Sequence, residues 1–143
     1  MARAVGLGRW LTAVVVMLAG CAGHPDATVD APPAPDMPPG WEVVSDMSFP
    51  ADEIARVGRN LGGELASLRN TVYEVNGKRV QLNMIEAATP AAGDRIMLRL
   101  RDMKHDEFLL RRGTIIYEFV CANDAMAEAR AGRAHLEATL AAG

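Results

Sequence analysis

Histidines, cysteines and a group of arginines are the residues of this 143-residue chain that could do chemistry. His24, His105 and His135 stand far apart, and none is at i, i+4 from another ligand-type residue. That is the spacing a helix needs to aim two donors at one zinc ion. His105-Asp106-Glu107 is a short polar cluster; its composition allows a contact with a cation, but a solvated turn is the favoured reading. Asp52-Glu53 has the position of first-turn helix acids that complement the dipole, not of a general acid–base pair. A nucleophile elbow, an S-x-x-K pair, a phosphate loop and a dinucleotide fingerprint are all lacking. Gly58, Gly62 and Gly63 do not follow a strand as a phosphate-cradling loop requires. The expectation is no metal, no cofactor and no enzymatic activity.

Arg95, Arg99, Arg101, Arg111 and Arg112 form the one basic grouping. Arg95 and Arg99 are one helical turn apart, and Arg111-Arg112 precede a turn at Gly113. As a patch, Arg95, Arg99, Arg111 and Arg112 would take an acidic partner, a lipid headgroup or a polyanionic glycan. As a solvated surface they would be neutralised by Asp94, Asp102 and Glu107, and that is the simpler reading. The chain carries 15 Lys+Arg against 18 Asp+Glu. Nucleic acid is therefore not an expected partner, because general binding needs a basic footprint. The same balance argues against a polybasic contact with anionic lipid. Aromatics make up 5% of the chain and are scattered, so there is no sugar-stacking platform.

The N-terminus has a different chemistry. Arg3 and Arg9 precede the apolar run Trp10 to Leu18, no acidic residue comes before Cys21, and Ala19-Gly20 lead into the cysteine. The run is shorter than the ~20 residues that span a bilayer, and the layout is that of a secretory signal. Leu18-Ala19-Gly20-Cys21 resembles the lipobox of bacterial lipoproteins. The resemblance covers residues 1–22. It implies that residues 1–20 are removed and that Cys21 takes a diacylglycerol on its sulfur, often with acylation of the new amine. Two or three chains anchor a protein stably, at about 0.8 kcal/mol per buried CH₂. Ala22 after the cysteine resembles the outer-membrane address of Gram-negative lipoproteins; in another envelope the site would be the outer face of the cell membrane.

Losing Arg3 and Arg9 leaves 13 basic against 18 acidic residues, a net charge near −5. With Cys21 acylated, no second cysteine remains in the chain to form a disulfide with Cys121. That leaves a packing thiol, an intermolecular disulfide or a reactive site. Its place after the apolar run Ile115–Val120 favours packing.

The remaining residues must build the domain behind this anchor. Residues 21–40 hold six of the eight prolines and almost no large apolar side chain, the composition of an extended linker. At ~3 Å per residue it would lift the domain some 50 Å. Residues 41–143 suffice for one core. Trp41–Met47 is a first strand. Pro50 starts a helix with Ile54, Val57 and Leu61 on one face, ended by Gly62-Gly63. Leu65–Val75 and Arg79–Ala87 form a hairpin about Asn76-Gly77. Their clean alternation predicts one solvated face.

Thr89-Pro90 opens a second helix, running to about Lys104. Glu107–Arg112 and Thr114–Cys121 pair about Gly113. Asn123 caps a last helix, Asp124–Leu140. The order β-α-β-β-α-β-β-α predicts an α+β domain: a mostly antiparallel sheet of four to five strands with three helices on one face. A ferredoxin-like layout is one arrangement of that order.

The function these observations suggest is that of an exported, lipid-anchored cell-envelope protein. It would bind the membrane through Cys21 and act as a non-enzymatic interaction or assembly module for an envelope partner. The alternative is a binding protein for a small apolar or lipid ligand held between sheet and helices. Ile85, Ile96, Leu100 and Ile116 would line that cavity.

Overall fold

The computed structural model describes residues 27–103 and 106–143. Residues 1–26, with the apolar run, Cys21 and His24, lie outside the described residues, as does His105. In chain order the elements are β1 (Glu42–Ser48), α1 (Ala51–Leu61), β2 (Leu65–Val75), β3 (Lys78–Ala87) and α2 (Pro90–Met103). They continue with β4 (Leu109–Arg112), β5 (Ile115–Cys121) and α3 (Met126–Ala142). One 3₁₀ turn precedes β4 and another precedes α3.

The turn at Asn76-Gly77 sets the register of the sheet. Both residues have positive φ, 53° and 72°, as a two-residue hairpin with the right twist requires. Val75 then faces Lys78, and the pairing runs back to Leu65 opposite Ala87, with one irregularity between Leu65 and Ser67. The five strands lie in the order β1-β2-β3-β5-β4, every neighbouring pair antiparallel. Among the described residues the domain is α+β, with five strands and three α-helices. The helix-linked strands β1 and β2 lie side by side, so the order is not the split pair of a ferredoxin-like layout.

The helices occupy both faces of the sheet, not one. Successive side chains of a strand point to opposite faces, and here both sets are buried. On β3, Ile85 and Ala87 join a core with Ile54, Val57 and Leu61 of α1 and Ile96, Met97 and Leu100 of α2. Val80, Leu82 and Met84 join a second core with Ala129 and Leu136 of α3 and with Phe108, Tyr117 and Phe119. The expected solvated face is filled as well, because its polar residues are bonded to one another, as described below.

Helix ends follow local chemistry. Pro50, expected in the first turn of α1, is its N-cap (φ −74°, ψ 161°). Gly62 ends α1 in the left-handed region (φ 81°), and Gly63 N donates to Gly58 O (3.0 Å), a common glycine stop. At α2, Ala92 N donates to Thr89 Oγ1 (3.1 Å), the expected cap. Asn123 does not cap α3. It opens a 3₁₀ turn, Asn123–Ala125, and α3 begins at Met126 without a side-chain cap.

The proline-rich segment also differs from a free spacer. From Thr28 onward it is a strap laid on the domain. Thr28 forms a bridge with Pro50, and Val29 N donates to Phe49 O (2.9 Å). Arg69 Nη1 donates to Pro32 O (3.1 Å), and His135 Nε2 lies 3.2 Å from Asp36 O. Met37 and Trp41 pack on the α3 core. Proline-rich chain has little entropy left to lose, so a few contacts suffice to hold it.

Candidate functional site

One open groove of about 640 Å³ lies where the strap meets α1. Val29 forms one wall, Ala51, Ile54, Ala55 and Gly58 another, and the Gly62–Ala66 turn a third, with Arg59, Glu64 and Arg95 at the margins. Gly58 is small for a reason: a Cβ there would come 2.7 Å from Gly63 O. Arg95 Nε donates to Gly62 O (3.2 Å), fixing the rim to the α1 stop. The sequence placed Arg95 in a basic group but gave no reason to join it to Arg59 or Val29; that depends on α1 and α2 packing together.

Of the four arginines predicted as a patch, Arg95 and Arg99 lie one turn apart on α2, while Arg111 and Arg112 are each bound separately. Arg95 and Arg99 are exposed on the outer side of α2. Arg111 is bound at the start of α2. It donates to Asp94 Oδ1 (2.6 Å), Pro90 O (3.1 Å) and Gly113 O (2.8 Å). Gly93 makes room for it; a Cβ there would lie 2.7 Å from Arg111 Nη2. Arg112 points to the other face and donates to Leu140 O at the end of α3. A cation there complements the helix dipole. Arg101 is paired with Asp106 (3.2 Å).

A second polar feature, missed from sequence, crosses the sheet on the side of α1 and α2. Asn70 on β2, Asn83 on β3 and Glu118 on β5 lie in one row and are 2%, 0% and 1% exposed. Asn70 Nδ2 donates to Asn83 Oδ1 (2.6 Å), Gln81 Nε2 donates to the same oxygen (3.0 Å), and Asn83 Nδ2 donates to Glu118 Oε1 (2.7 Å). Burial of such groups is tolerated when they bond to one another. A signal existed: a two-residue turn at Asn76-Gly77 puts Asn70 opposite Asn83.

Asp46 on β1 is the other polar junction. It accepts from Arg69 Nε (2.8 Å), Arg69 Nη2 (2.6 Å) and Thr71 Oγ1 (3.0 Å). The Arg69 bonds hold its carboxyl below the ordinary range, against a smaller opposing effect of burial, and Thr71 adds to them. Burial pushes the Tyr73 hydroxyl up to about 12. Tyr73 Oη has no hydrogen-bond partner among the described residues.

Cys121 ends β5, partly buried against the α3 core. His135 reaches the strap. Among the described residues no three His, Cys, Asp or Glu side chains are grouped to hold a metal ion, and no helix is long and apolar enough to cross a membrane. Compared with known proteins, the chain matches no family model, no curated protein and no solved structure.

Proposed function

We propose that this chain is a lipid-anchored cell-envelope protein whose folded domain is a non-enzymatic interaction or assembly module. The observation that carries the reading is Leu18-Ala19-Gly20-Cys21 behind the apolar run Trp10–Leu18 and the cations Arg3 and Arg9. The interaction half is supported by β1. It is an edge strand whose Val43 and Val44 are 58% and 46% exposed. An edge offers unpaired backbone groups to an added strand, and exposed valines offer it side-chain contacts. The alternative, an apolar ligand between sheet and helices, loses support from the packing. Ile85, Ile96, Leu100 and Ile116 are each 0% exposed and fill one cluster with one another.

The test is fractionation of cells carrying the wild type or Cys21→Ala, with mass spectrometry of the N-terminal peptide and cross-linked pull-down. The expected result is a diacylglyceryl-modified Cys21, membrane recovery lost in Cys21→Ala, and an envelope partner enriched with the anchored form. An unmodified Cys21 in the wild type would sink the anchor. A modified protein that cross-links to nothing would sink the assembly role.

A further inference from the structure

The strap shortens the tether and decides which side of the domain meets the membrane. We infer that the α1–α2 side is a docking surface for a bilayer carrying anionic headgroups; the inference rests on acylation of Cys21, proposed above. Among the described residues, chain held to the domain begins at Thr28. Seven residue steps separate it from Cys21, a reach of at most ~25 Å, little more than a third of what a free linker to residue 40 would span on the same scale. The tether enters beside the groove that Val29 shares with Arg59 and Arg95, so this side is drawn to the lipid.

The surface there suits headgroups. Arg59, Arg95 and Arg99 are exposed, and none has an ion-pair partner among the described residues. Leu98 stands between Arg95 and Arg99 on the outer side of α2 and is 64% exposed, the most exposed large apolar side chain among the described residues. Arginine–leucine–arginine at i, i+3, i+4 is a short interfacial stripe. The carboxylates nearby are Asp52, Glu53, Glu64, Asp94 and Asp102; Glu53 and Asp94 are already held by Arg56 and Arg111. Charges farther from this surface than about 8–10 Å are screened and add little to the contact. Nor does the contact need to be strong. A tethered domain is at high effective concentration at its own membrane.

The experiment uses the mature, acylated chain in vesicles of phosphatidylethanolamine and phosphatidylglycerol. A fluorophore is placed by Leu98→Cys, or by Ala138→Cys on the exposed side of α3, each in a Cys121→Ser background. A nitroxide-headgroup lipid serves as quencher. Quenching at position 98 is expected to exceed that at 138 several-fold, and to fall toward it at high salt or with phosphatidylcholine alone. Combining Arg59→Glu, Arg95→Glu and Arg99→Glu should have the same effect while far-UV circular dichroism is unchanged. Equal quenching at the two positions in vesicle-bound, acylated protein would overturn the docking and leave the anchor standing. So would a difference that salt does not touch, which needs no variant of the arginines. A mass showing Cys21 unmodified would overturn the anchor and the docking together.

Discussion

Asn83 accepts from Asn70 and Gln81 and donates to Glu118, so one amide ties β2 to β5 through β3. Asn83→Ala would strip a donor from the buried Glu118 carboxylate and the acceptor from Asn70. Leaving buried groups short of partners costs about 1–3 kcal/mol each, more for a charge. The variant is expected to lose about 3 kcal/mol in urea unfolding; a loss below 1 kcal/mol would contradict the row's role. Asp46 acts through its charge. Its folded pKa lies below the ordinary 3.8, so the stability it lends is complete above that value and is lost as pH falls further. Asp46 is a third exposed, so the effect is on the order of 1 kcal/mol. Asp46→Asn should flatten the acid limb of a thermal-stability profile below about pH 4. At this scale the sequence was partly legible. The Asn70–Asn83 pairing follows from the Asn76-Gly77 turn. Glu118 does not, because its place beside Asn83 depends on β3 meeting β5 across α2.

At the scale of elements, local chemistry was legible and sidedness was not. Gly62, Asn76-Gly77 and Thr89 mark their boundaries by backbone conformation or capping, which neighbours in sequence decide. The face a helix covers is decided by partners far away. The short apolar stripe of α3 gave no sign that it would pack opposite α1 and α2. The strap was illegible for a related reason: proline-rich chain reads as a spacer whether or not something holds it. Here α3 holds it at Gly132. A Cβ at that position would lie 2.4 Å from the Trp41 ring, which also meets the Tyr73 ring edge-on at 5.5 Å. Alanine favours a helix over glycine by about 1 kcal/mol, while an aromatic pair and its burial are worth about 2–4 kcal/mol. Gly132→Ala should therefore give a net loss of about 1–3 kcal/mol, with Trp41 emission shifted to the red. An unshifted spectrum would mean that the ring and α3 adjust together.

For the whole molecule, the sheet is a central wall with a core on each side. The α1–α2 core is built largely from residues up to and including Leu100, with Leu109 and Ile116 added, and the α3 core waits for the last helix. The strap spans this division: its first contacts are Phe49 and Pro50 and its last are Gly132 and His135. A chain is made from its N-terminus, so the strap leaves the ribosome before every surface that binds it. Asp36 waits through 99 further positions for His135. Until α3 is in place the strap lacks its contacts with Gly132 and His135 and is held only at its first bridge and by Arg69. Closure of the strap thus marks the completion of synthesis: a segment made before the domain it lies on is the last to be fastened.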